Sequence, residues 1–346
     1  MLSTQAKLFA AACIGGILAG LGGVGLTAAS AAGRSVESSN GLLLVANKGS
    51  HALGIIDPSE KKQVAEVPEG GVTGHEVIAS PDGKTAYVPI YGNSGVGKPG
   101  TDGRNIVAID VATQKVTGDL DFGRGVRPHC PIFGPKDGLL YVTTELDKTI
   151  SIIDPHTMKI VGSIPTTQAE SHMLAISHDG KRGYTANVGP GTVSVLDIPG
   201  RKTITVIPIS GNTQRISVSR DDRLVFTSDQ TSPRLAVIDT ATNSIKTWVK
   251  LPGLGYGTDS TKDGRYLVVA VPPAHKVAVV DLKTMEVVHS IDVPAAPQEV
   301  LVRPDNQIAY VSCDASHKVA AINISDWTVD SLIDAGPGAD GLAWAK

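Results

Sequence analysis

"RPHCPIFGPKDGLLYVTTELDKTISIID", Arg127 to Asp154, opens beside a histidine, crosses a glycine turn and ends in an apolar run closed by aspartate. Near-copies of that ending recur: LGIID at Asp57, IVAID at Asp110, ISIID at Asp154, VSVLD at Asp197, LAVID at Asp239, VAVVD at Asp281 and VAAIN at Asn323. Their spacings are 53, 44, 43, 42, 42 and 42 residues. A fixed period of this length marks a repeat architecture. Each copy holds four short segments rich in Val, Ile and Thr, such as HMLAISHDG, RGYTANV, GTVSVLDI and TITVIPI. Segments of this kind, divided by Gly, Pro, Asp or Asn, read as strands. SPDGKTAYV, SHDGKRGYT and TKDGRYLVV place a tight Asp-Gly hairpin between the first and second strand. Four strands per period make a propeller blade.

The repeat opens at NGLLLVANKGS with second-strand material and closes at GADGLAWAK with first-strand material. The expected fold is therefore all-β: a seven-bladed β-propeller over 41–346, its ring closed by 341–346 pairing beside 41–47. Closure removes two sheet edges that would otherwise invite aggregation. SPDGKTAYV, GLLYVTTELDKTISIIDPHTMKIVGSI and AYVSCDASHKVAAI resemble the YVTN-repeat family of bacterial, exported seven-bladed propellers, related to lactonase-type propellers. The resemblance covers essentially the whole mature chain and implies the fold. It leaves function open, because the family hosts surface proteins, binding proteins and enzymes.

The chain of 346 residues is 41% apolar and 19% charged, with net charge −3. That is a globular composition with no basic excess, so no nucleic-acid partner is expected. Residues 1–32 carry Lys7, an Ala/Gly-rich apolar run and the small-residue pattern Ala29-Ser30-Ala31. This reads as a secretory signal peptide followed by a short linker over 33–40. The expected location is periplasmic or secreted, with membrane attachment only if the signal stays uncleaved, and the expected state is monomeric. Cys130 and Cys313 fall far apart around the ring and should be separate thiols, and no CxxCH or zinc-finger spacing occurs.

The same register aligns the starts of the innermost strands at His75, His129, His172, Arg215, Gly257, Glu299 and Gly341. Equivalent residues of a propeller form a ring around the central channel, so three imidazoles meet at one height. A second ring, ten residues before each closing Asp or Asn, holds Asn47, Thr144, Asn187, Asp229, Val271 and Cys313. Both rings open on one mouth. The expected site is a divalent metal held by His75, His129 and His172, since neutral imidazole is a common metal ligand. Arg215 would clamp a ligand anion. Glu76 or Glu299 would act as base, and Asn187 and Asp229 would line the ligand pocket. The chemistry implied is small-molecule binding or a metal-dependent hydrolase, lactonase or lyase reaction. Against it stand a metal-free polar pocket and histidines that merely cap loops. The rival at the level of the whole protein is a non-catalytic module that binds a protein partner or a cell-wall component. The insertion YGNSGVGKPGTDGRN, Tyr91 to Asn105, begins at the mouth and reads as a loop or lid over the channel.

Overall fold

The computed structural model describes residues 41–346. The expected signal peptide and linker lie outside the described residues. The described chain forms seven four-stranded antiparallel sheets. The blade count and the closure both match the expectation. Blade one is assembled in the order Ala339–Ala345, Leu42–Asn47, Ala52–Asp57, Lys62–Pro68. Its junction pairs Leu42 with Ala345 and Asn47 with Ala339, so the two ends of the repeat share one hydrogen-bond ladder.

The repeated aspartate has a local physical cause. In every blade its carboxylate, or the Asn323 amide oxygen, accepts the backbone N–H two or three residues on, at 2.7–2.9 Å. This Asx turn joins the third strand to the outer fourth strand. Between the turns, apolar side chains of neighbouring blades interdigitate. One cluster joins Ile150 and Ile152 to Leu174, Val193 and Val195, and runs on to Ile216 and Val225.

Cys130 and Cys313 are both free and buried, in agreement with the expectation of separate thiols. No helix among the described residues is long and apolar enough to cross a membrane. The 91–105 insertion is only partly a loop. Its ends lengthen the strands Thr85–Gly92 and Asp102–Asp110, leaving 93–101 as the connection. Arg127 of blade three holds that connection down. Its Nη2 donates to Lys98 O at 2.7 Å and its Nε to Asp102 Oδ1 at 2.6 Å.

Candidate functional site

The ring residues face the axis because the innermost strands are broken at these positions. Pairing skips His129, His172, Arg215 and Glu299: it jumps from Pro128 to Pro131, Ser171 to Met173, Gln214 to Ile216, and Pro297 to Val300. A bulge leaves a residue out of the ladder and re-aims its side chain. Hydroxyls of the second strand take over the orphaned backbone groups. Thr143 Oγ1 accepts from Cys130 N and donates to His172 O, each at 2.9 Å. Thr227 Oγ1 donates to Arg215 O at 2.7 Å, and Ser312 Oγ accepts from Glu299 N at 3.0 Å.

Two groups of side chains result. In the first, His75, His129 and His172 gather as expected, around Tyr91. The ring centroids of His129 and His172 stand 3.6 Å apart, nearly parallel, and His75 meets His129 edge-on at 5.6 Å. Tyr91 lies 4.8–5.3 Å from all three. Glu145 anchors the group: Tyr91 Oη donates to its Oε2 at 2.6 Å, His172 Nδ1 lies 3.2 Å from the same oxygen, and Arg127 Nη1 lies 3.4 Å from Oε1. Burial pushes all three imidazoles down, His75 to about 4 and His129 well below its ordinary value. Burial alone would raise Glu145, but the bonds from His172, Tyr91 and Arg127 outweigh it and hold the carboxyl low. Stacked rings do not aim their nitrogens at a common point. Among the described residues no group of three or more His, Cys, Asp or Glu is arranged to hold a metal ion. The convergence of the histidines is as expected; the three-imidazole metal cage is not found.

The second group surrounds Arg215, which is 3% exposed. Its Nη1 donates to Glu76 and, at 2.6 Å, to Glu299 Oε2, while Nη2 donates to Asp340 Oδ1 at 3.0 Å. Its guanidinium lies 4.7 Å from the Tyr256 ring. Lys48 Nζ adds a second cation, 3.0 Å from Asp340 and 3.1 Å from Asp314. Burial drives Glu76 and Glu299 upward, and the Arg215 charge, shared among three carboxylates, only partly offsets it. Asp340 is held low despite its burial, by Lys48 and Arg215. The expected trio Glu76, Arg215 and Glu299 is thus brought together. Arg215 is not free to clamp a ligand in the way expected, however, because the chain's own carboxylates hold both of its terminal nitrogens, while its buried Nε has no partner among the described residues.

Asn187 and Asp229, expected to line the ligand pocket, are engaged in hydrogen bonds of their own blades. Asn187 exchanges hydrogen bonds with Ser171, Thr185, Thr192 and Ser194, and Asp229 accepts from Thr231 and Arg234. Both spend their polar atoms inside their own blades. The sequence reading missed Tyr91, Arg127, Lys48, Tyr256 and Asp340 as partners. Four of them were within reach of a simple signal: Lys48 follows the ring residue Asn47, Asp340 precedes Gly341, Tyr256 precedes Gly257, and Tyr91 opens the insertion.

At the expected mouth Arg127 pins the 93–101 connection. Space lies further along the inner strands, toward the first hairpins. There a cavity of about 300 Å³ is walled by Pro131, Ile132, Leu174, Ile216, Leu301 and Trp344, with Glu76 and Glu299 among its lining. A larger groove of about 810 Å³ lies off the axis between blades five and six, bordered by charged surface residues such as Arg220, Asp263, Arg265 and Lys283. It is remote from both buried groups.

The family model described as the cytochrome D1 heme domain matches residues 134–276, less than half of the chain. Hydrazine synthase from Kuenenia stuttgartiensis superposes with a TM-score of 0.71 at 19% identity, over 84% of this chain and 98% of that one. A protein of unknown function from Desulfotomaculum acetoxidans gives 0.74 at 14% identity, over 89% and 99%. Among curated proteins no sequence matches this chain. At such identities the likeness establishes the fold: this is a seven-bladed β-propeller similar to the cytochrome D1 heme domain over its middle blades. The YVTN relationship itself stays a resemblance.

Proposed function

We propose that this propeller is a small-molecule-binding protein and that its site is the axial funnel floored by Glu76 and Glu299. One observation carries this reading. A ligand-sized cavity lined mainly by hydrophobic residues, with the buried Glu76 and the part-buried Glu299, opens where the seven-fold repeat is broken by unlike residues. At about 300 Å³ it sits at the lower end of the range for small-molecule sites. Cys130 borders it, but burial pushes that thiol up, away from nucleophilic reactivity. Binding is therefore favoured over covalent chemistry.

Heme does not fit the funnel or the stacked pair His129 and His172. His129 and His172 are 2% and 4% exposed and stack on each other, so neither offers a nitrogen to an open space. The axial funnel has no histidine in its lining. A divalent metal on His75, His129 and His172 would require that stack to open. The N-terminal sequence supports export, and we place the protein in the periplasm or outside the cell on that ground.

Trp344 in the funnel wall supplies the test. Three probes share one apolar body and differ in charge: 2-phenylethylamine, 2-phenylethanol and phenylacetate. At least one should change Trp344 fluorescence and give a saturable calorimetric isotherm, and the fluorescence change should vanish in Trp344→Phe. If none binds, the small-molecule reading falls, and a protein or cell-wall ligand on the outer faces takes its place.

A further inference from the structure

We infer that the funnel is selective for a compact organic cation, an ammonium group carried on an apolar body, and that Glu299 with Glu76 receives the charge. The inference rests on the funnel being the ligand site. Three observations argue for a cation over an anion. First, the two carboxylates line the cavity, whereas Arg215 does not. An anion entering from the open end would meet Glu299 and Glu76 before any guanidinium. Second, with every carboxyl ionised the group holds more acids than cations: Glu76, Glu299, Asp340 and Asp314 face only Arg215 and Lys48. Third, the Glu299 side chain is 18% exposed and that of Glu76 7%. Glu299 is thus the first carboxylate within reach of a ligand.

The walls set the rest of the ligand. Pro131, Ile132, Leu174, Ile216 and Leu301 offer no charge and suit a hydrocarbon body. An ammonium held against a partly desolvated carboxylate forms a charge-assisted hydrogen bond. Because burial has raised both floor carboxyls, part of the protein carries a proton there near neutral pH. Cation binding should ionise them, so a proton should leave as the ammonium enters.

The same three probes decide the matter. 2-Phenylethylamine should bind roughly 10–100-fold more tightly than 2-phenylethanol, the span expected for a hydrogen bond to a charged group. Phenylacetate should bind more weakly still. Calorimetry at pH 7 in two buffers of different ionisation enthalpy should show proton release with the amine. Glu299→Gln, which keeps the shape, should bring amine and alcohol to within a few-fold of each other. Equal binding of amine and alcohol by the wild type overturns the cation inference while leaving the funnel site standing, as does tighter binding of phenylacetate. Failure of all three probes removes the funnel reading itself. If Glu299→Gln does not fold, the wild-type order of the probes still decides.

Discussion

Arg215 shows how a single side chain can be legible in position and not in role. Its place follows from the 42-residue register, which put it on the axis beside three histidines. Glu299 shares its ring position, but its other partners lie one residue to either side of that position, as Glu76 does after His75. Asp340 lies one residue before the ring position of the closing strand, and Tyr256 one residue before Gly257. A bulge in the closing strand sets Asp340 out of the ladder, and a repeat pattern carries no signal for a bulge. Removing Arg215 would strand Glu76 and Glu299 and leave Asp340 with Lys48 alone. Arg215→Met is therefore expected to cost about 3–5 kcal/mol in urea denaturation. Arg215→Lys should recover only part of this, because a single ammonium nitrogen lacks the two separated terminal nitrogens that reach Glu76 and Glu299 on one side and Asp340 on the other. The histidines give a pH signature. His75 is lowered from 6.5 to about 4, and His129 and His172 also shift down. The folded state refuses protons that the unfolded chain binds, so this stability is complete above about pH 6.5 and is lost as pH falls toward 4. The raised Glu76 and Glu299 act in the opposite sense, losing stability as pH climbs from 4.5. Comparing wild type with His129→Phe isolates the imidazole effect: the variant should show a shallower loss of stability between pH 6.5 and 4.

The strand is the next scale, and here the bulge and its repair act together. Thr143 bridges Cys130 N and His172 O, tying the bulges of blades three and four to one hydroxyl. Thr143→Val keeps the volume and leaves both backbone groups buried without partners. A loss of about 1–3 kcal/mol is expected, read by the urea midpoint at unchanged slope. Strand identity and hairpin placement were legible because alternation and Asp-Gly turns are local properties. The 93–101 connection was legible as an insertion over the mouth but not as a pinned one, since Arg127 reaches it from the next blade. Arg127→Ala should make that segment a site of limited proteolysis while the blades stay protected, as mapped by mass spectrometry of the fragments.

For the whole molecule, ring closure is the controlling feature. The junction strand Ala339–Ala345 supplies both the ladder of blade one and Asp340 of the buried ion group. Deleting 341–346 should abolish cooperative unfolding, whereas loss of an ordinary tail would be silent. Blade number and closure could be read from the period alone, because seven copies and split end segments permit no other count. The position of the cavity could not. Which end of a propeller channel is filled depends on side-chain volumes contributed by all seven blades at once. The same symmetry that gathered the histidines packed them against Tyr91 and left the open space beyond Glu76 and Glu299. The most direct measurement is a crystal structure of the protein with 2-phenylethylamine. The expected result is a phenyl ring between Leu174, Leu301 and Trp344, with the ammonium within hydrogen-bond distance of Glu299. A ligand seated off the axis, or a funnel empty at concentrations that saturate the calorimetric isotherm, would contradict the axial site.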